Sequence, residues 1–173
     1  MKFVLIGYMG SGKTAVGQLL ALKLNIPFKD LDQEIETIEG RTVPQIFSEK
    51  GEIYFRKAER NILKIILDSE NNFVLATGGG TPCYSDVMNL LLSGKNIKTI
   101  YLRSSINTLT NRIYNERLNR PLISHISKKE ELQEFIAKHL FERAQYYNQA
   151  SISIKTDEFT LEEIANKIYS ELR

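Results

Sequence analysis

Cysteine is almost absent from this chain: Cys83 stands alone among 173 residues. One cysteine excludes an internal disulfide, which suits a reducing compartment. Charge of either sign is equally unconcentrated. The formal net charge is only +2, and no basic tract of five or more residues occurs, so nothing marks a polyanion-binding tail and nucleic acid is not an expected partner. No apolar run approaches the roughly 20 residues that span a bilayer, so a membrane is not an expected partner either. The start of the chain enters an apolar run at Lys2-Phe3 with no secretory leader pattern. A cytoplasmic, monomeric protein is the expectation. Repeats, low-complexity segments and Pro/Gly-rich linkers are missing too, so residues 1–173 are read as one domain. With 42% hydrophobic and 25% charged residues, such a chain can bury a substantial core.

What is present is an alternation of short β-like runs with longer helical ones. Strands are expected at 3–7, 27–30, 73–77, 97–102 and 151–154. Helices are expected at 13–24, 32–39, 43–49, 51–68, 84–92, 105–115, 130–148 and 161–172. Thr160 with Glu163 has the form of a capping box for the last helix. Strands separated by helices imply an α/β fold, a mainly parallel sheet covered on both faces. In such sheets ligands bind beyond the carboxyl ends of the strands. The residues that follow each strand are therefore read as one site.

The first of these stretches is the most informative. Gly7-Tyr-Met-Gly-Ser-Gly-Lys-Thr14 matches the phosphate-binding loop G-x-x-x-x-G-K-[ST], and it follows a strand and opens a helix, the context that pattern needs. Glycines let several N–H groups converge on one anion, and the helix N-terminus adds unpaired N–H groups and positive dipole. Lys13 supplies charge for the β and γ phosphates, and Thr14 a hydroxyl for Mg²⁺. Gly10, Ser11, Gly12, Lys13, Thr14 and Ala15 form the expected nucleotide-binding set, with ATP and Mg²⁺ as cofactors.

After the second strand comes Asp30-Leu31-Asp32. Extended backbone has a period of two, so both carboxylates can point the same way. Near a triphosphate, one can serve Mg²⁺ and the other accept a proton from a hydroxyl. The third strand ends in Thr77-Gly78-Gly79-Gly80, where a ligand can approach backbone closely. It lacks the Asp of a standard Walker B strand, which leaves Asp30 for the metal. Arg56 opens a helix near Gly51, with Glu59 and Arg60 a turn later. Arg143 continues the apolar stripe Leu132, Ile136, Leu140 and so needs a carboxylate, from protein or ligand. Residues 115–127 form a polar, arginine-rich stretch holding Arg117 and Arg120, suited to a lid over phosphate. His125 and His139 have no metal-ligand cluster around them. Cys83 is read as a small packing residue, and Tyr146-Tyr147 as helix packing.

Taken together, GYMGSGKT at 7–14, DLD at 30–32, GEIYFRKAE at 51–59, ATGGG at 76–80, NRPLI at 119–123 and ERAQYY at 142–147 resemble the shikimate kinase family over nearly the whole chain. The resemblance implies a three-layer αβα P-loop kinase with a five-stranded parallel sheet of order 2-3-1-4-5. Substrate-binding helices would span about 32–60 and a lid about 115–127. The implied activity moves the ATP γ-phosphoryl group to the 3-hydroxyl of shikimate, in chorismate and aromatic amino-acid biosynthesis. By the same resemblance Lys13, Asp32 and Arg120 would be catalytic, with Asp32 the base and Arg120 the lid residue on the phosphates. Asp32, Arg56, Gly78, Gly79, Gly80 and Arg143 would bind shikimate, the two arginines at its carboxylate. Thr14 and Asp30 would serve magnesium, and Arg112 is the residue assigned to adenine. The alternatives are a gluconate or nucleoside monophosphate kinase of the same fold, or a non-catalytic nucleotide-binding module.

Overall fold

The computed structural model describes residues 1–69, 71–119 and 122–173. Five strands, β1 (Lys2–Ile6), β2 (Phe28–Asp30), β3 (Phe73–Ala76), β4 (Ile97–Arg103) and β5 (Ile152–Lys155), form one sheet. Its order is β2-β3-β1-β4-β5, and every pairing is parallel. The order is the one the family resemblance implied.

The central strands are apolar on both sides because helices cover both faces. Along β1 the two-residue period sends Phe3 and Leu5 one way and Val4 and Ile6 the other. Phe3 and Leu5 pack with Val16 and Leu20 of α1 (Lys13–Leu24) and Ile164 and Ile168 of α7 (Leu161–Glu171). Val4 and Ile6 belong to a larger cluster. It draws on α2 (Leu31–Glu39), α3 (Val43–Asp68), α4 (Val87–Ser93), α5 (Ile106–Tyr114) and α6 (Lys129–Tyr147).

Local signals set the element ends. Thr160 and Glu163 make the expected capping box on α7, and Thr42 with Gln45 makes another on α3. α3 is broken at Gly51, whose φ is 79°, so residues expected as two helices run as one with a kink there. The helix expected from residue 84 begins only at Val87. Thr81–Cys83 form a 3₁₀ turn with Pro82 in it, and Ser85 sits at φ 55°, a conformation no α-helix contains. Because all strands are parallel, Gly7, Asp30, Thr77 and Ser104 emerge along one edge of the sheet. That edge is where the chemistry-bearing residues collect.

Candidate active site

The turn after β1 folds as a phosphate loop. Gly10 has φ 77°, and a Cβ there would lie 2.7 Å from the Ile113 side chain, so only glycine fits both the angle and the space. Gly12 caps α1 without any side-chain hydrogen bond. That uncapped helix end, with its positive dipole, suits an anion. Lys13 is buried and its Nζ donates to the carbonyls of Gly7 (2.8 Å) and Tyr8 (2.9 Å). Arg112, at the end of α5, donates to the Gly10 carbonyl at 3.2 Å. At the other end of α5, Asp157 accepts from the Ser105 N–H (3.0 Å) and the Thr108 hydroxyl (2.5 Å). The stretch Lys155-Thr156-Asp157 is thereby fastened to the helix that carries Arg112.

Asp30 links this loop to the carboxylate pair. Its Oδ2 accepts the Thr14 hydroxyl at 2.9 Å, and its Oδ1 caps α2 at the Asp32 N–H, 3.1 Å away. The two acids do share a cavity, but strand periodicity is not the reason. β2 stops at Asp30 and Asp32 is already helical. The cavity, about 340 Å³, is lined by Met9, Gly10, Gly12, Lys13, Thr14, Ala15, Asp30, Asp32, Thr77, Gly78 and Gly79. Burial raises the Asp32 carboxyl to about 6, with the charges of Asp30 and Glu59 adding to the rise and Lys13 opposing it. Thr77, in the place of a Walker B acid, does structural work instead: its hydroxyl donates to the Leu5 carbonyl at 2.9 Å.

The glycine turn is the meeting point of the remaining groups. A Cβ on Gly78 would lie 3.4 Å from Asp32 Oδ1 and 3.3 Å from Glu59 Oε1. One on Gly79 would lie 3.0 Å from the Met9 nitrogen, and one on Gly80 2.7 Å from Arg56 Nη2. The turn is thus pressed between the phosphate loop and the α3 arginine. Arg56 donates to Glu59 at 2.7 Å and stacks on Tyr84, 4.0 Å from the ring centroid. Glu59 is only 2% exposed and takes a second bond from Thr81 at 2.6 Å. Arg143 comes from α6. It lines a hollow of about 300 Å³ with Cys83, Tyr84, His139, Glu142, Gln145 and Tyr146. Burial pushes the Cys83 thiol up to about 11 against the opposing charges of Arg143 and Arg56. Both arginines therefore reach the same corner, and Cys83 there is a packing group, not a thiolate nucleophile.

Two buried side-chain polar atoms among the described residues lack a hydrogen-bond partner, Ser11 Oγ and Arg56 Nε. One lies in the phosphate loop and the other on the arginine side of the site. Orphaned donors are rare in folded interiors and point to ligand groups that would complete them.

Sequence reasoning placed Glu59 one turn after Arg56 but missed two contributors. Thr81 holds the Glu59 that pairs with Arg56, and Tyr147 does more than pack its helix: its hydroxyl donates to the Gly79 carbonyl at 2.5 Å. The available signal for Tyr147 was its place four residues after Arg143, on the same helix face. Arg120 and its neighbour Pro121 lie outside the described residues. Arg117 is engaged locally, donating to the carbonyls of Tyr114 (2.8 Å) and Ile126 (3.1 Å). From the same segment Leu122 lines an apolar trough with Val43, Pro44, Phe47 and Ser48 at the start of α3.

Comparison with known proteins identifies the family and matches the fold. The family model described as shikimate kinase matches residues 9–173. A shikimate kinase of Flavobacterium psychrophilum is 43% identical over 168 residues, covering 97% of this chain and 96% of its own. The crystal structure of shikimate kinase from Bacteroides thetaiotaomicron superposes with a TM-score of 0.86 at 35% identity, covering 99% and 98% of the two chains. That of the Acinetobacter baumannii enzyme in complex with shikimate also gives 0.86, at 32% identity, covering 99% and 92%.

Proposed function

This chain belongs to the shikimate kinase family, and from that premise we propose that its site transfers the γ-phosphoryl group of ATP to the 3-hydroxyl of shikimate. The observation that carries this reading is the placing of a raised carboxyl, Asp32, in the same cavity as Lys13 and Thr14. A hydroxyl held at Asp32 would face a γ-phosphate held by the loop, and alignment with charge neutralisation is most of what phosphoryl transfer needs.

In this reading the acceptor oxygen forms the new O–P bond as the bond to the β-phosphate oxygen breaks. Asp32 takes the hydroxyl proton. With its carboxyl raised to about 6, it is ionised near neutral pH yet basic enough to share that proton. Lys13 leaves the Gly7 and Tyr8 carbonyls to meet the β and γ oxygens. Gly10, Ser11, Gly12, Thr14 and Ala15 bind the phosphates through backbone and hydroxyl donors. Arg56 and Arg143 take the acceptor carboxylate. Arg56 Nε makes no hydrogen bond and has only a long 3.7 Å ion pair to exposed Glu52, which supports that role, since a guanidinium fork matches a carboxylate. Gly78, Gly79 and Gly80 offer backbone to the ring hydroxyls, Arg112 serves adenine, and Arg120 serves the phosphates from the lid.

Thr14 Oγ1 and Asp30 Oδ2, 2.9 Å apart, fit a magnesium ion. Such an ion needs few protein oxygens beside phosphate and water. When bound it would neutralise charge on the nucleotide phosphates. Among the described residues no helix is long and apolar enough to cross a membrane. A cytoplasmic, monomeric enzyme acting as one domain in aromatic amino-acid biosynthesis is part of the same reading.

An ADP-release assay tests it, with shikimate, gluconate and nucleoside monophosphates offered in turn, with and without Mg²⁺. Turnover is expected with shikimate and Mg²⁺ alone. Turnover of gluconate or a nucleotide, with none of shikimate, would end the assignment.

A further inference from the structure

The glycine turn has a support that none of the roles above requires. Tyr147 is fully buried at the end of α6 and its ring stacks on Tyr101 of β4, centroids 5.1 Å apart. Its hydroxyl donates to the Gly79 carbonyl at 2.5 Å. In a trans peptide the carbonyl of one residue and the N–H of the next point in opposite directions. Fixing the Gly79 oxygen therefore fixes the direction of the Gly80 N–H, away from Tyr147. No protein acceptor takes that N–H among the described residues. Three glycines in sequence do not hold a peptide plane by themselves, because each has wide backbone freedom. Something outside the turn has to set it.

We infer that Tyr147 is a positioning residue for acceptor binding: its hydroxyl locks the Gly79–Gly80 peptide so that the Gly80 N–H is presented to a hydroxyl of the acceptor. The inference rests on the reading of Gly78–Gly80 and Arg143 as acceptor-binding. It adds a reason for the spacing on α6. Arg143 and Tyr147 are one turn apart on one face. A single helix face thus delivers the carboxylate anchor and the brace of the glycine turn together, so a shift of α6 would move both at once. If Tyr147 only filled space, phenylalanine would serve equally, since ring and stacking partner would be unchanged.

Tyr147→Phe in the full chain separates these cases. In protein free of nucleotide and acceptor, the Gly80 amide resonance is expected to move while that of Gly12 stays. In turnover, KM for shikimate is expected to rise about tenfold, the size of one lost hydrogen bond, with KM for ATP within about twofold of wild type. An unmoved Gly80 resonance, or an unchanged shikimate KM, overturns the role of Tyr147 alone. Parallel damage to both KM values and kcat overturns it in favour of plain structural support. A wild type that turns over other acceptors but not shikimate overturns the acceptor reading, and this inference with it. Should the phenylalanine variant fail to fold, 3-fluorotyrosine at position 147 supplies the second arm. It keeps the hydroxyl as a stronger donor, so shikimate KM must hold or fall, and a rise overturns the inference.

Discussion

On the phosphate side of the cavity the chain spends eight consecutive residues, Gly7 to Thr14, and works mainly through backbone. On the acceptor side it draws on segments from Asp32 to Tyr147 and works mainly through side chains, some of them held by partners. Arg56 is held by Glu59, Glu59 by Thr81, and the Gly79 carbonyl by Tyr147. The difference follows from what is bound. Phosphate asks only for several donors around one point, which a tight turn and a helix end provide locally. A small carboxylated polyol asks for a carboxylate fork and hydroxyl acceptors in fixed relative positions, which distant elements must bring together. The phosphate side should therefore fail through loss of charge, and the acceptor side through loss of alignment.

The largest expected break is on the phosphate side. In the proposed function Lys13→Ala removes a charge directed at oxygens that gain charge in the transition state, so kcat should fall about a thousandfold, with shikimate KM moved less than about threefold. A kcat within tenfold of wild type would show that the loop backbone suffices without its lysine. Asp32→Asn comes next, with kcat down about a hundredfold or more. Its effect on stability has the opposite sign. The folded carboxyl sits at about 6, above the ordinary 3.8. The ionised form is therefore disfavoured in the folded protein, a cost that grows as pH rises through that interval and is complete above about 6. Asparagine removes it, so the nucleotide-free variant should be more stable at pH 7.5 by about 1–2 kcal/mol, allowing for partial exposure. In the wild type kcat/KM should fall about tenfold for each pH unit below 6, as Asp32 takes up its proton. A destabilised Asp32→Asn variant, or a flat acid limb, would show that the carboxyl is not strained by burial.

That asymmetry also decides what could be read from the sequence. The phosphate loop was legible because all its determinants are local: spacing, a strand before and a helix after. The sheet order came from the family resemblance, since strand order is not written in local periodicity. Asp30, Asp32, Arg56 and the glycines could be named as candidates from residue type at strand and helix ends. Their partners could not. Glu59 could be set one turn after Arg56 on the same face, but nothing local showed that it would be buried against Thr81 while Arg60 pairs outward with Asp86. Tyr147 was taken for packing because a hydroxyl's target 68 residues away leaves no mark on the sequence near either end. The helix expected at residue 84 was misplaced for a smaller reason: Ser85 takes a left-handed conformation that serine rarely adopts.

The acceptor side is broken most directly at Arg56. Lysine keeps the charge but not the planar fork, the stacking on Tyr84 or the reach to two oxygens. Arg56→Lys should raise shikimate KM about thirtyfold, roughly 2 kcal/mol, while ATP KM stays within about twofold. Equal losses for both ligands would mean that Arg56 supports the fold as a whole, and the contrast between the two sides would lose its best example.

The smallest effect on turnover tests whether alignment is transmitted through partners that touch no ligand. Thr81 is buried and meets Glu59 with its hydroxyl at 2.6 Å. Thr81→Val keeps the shape and deletes that donor. Glu59 then has only Arg56 for its buried charge, and losing a hydrogen bond to a charged group costs about 2 kcal/mol. For a domain of this size Tm should fall by about 4–8 °C. If Glu59 also fixes the guanidinium, shikimate KM should rise about threefold to fivefold with ATP KM unmoved, because the relaxed pair still carries both charges. A lower Tm with an unchanged shikimate KM would place Thr81 in the scaffold alone. Arg56 would then be aligned by Tyr84 and the acceptor itself, without help from the buried carboxylate.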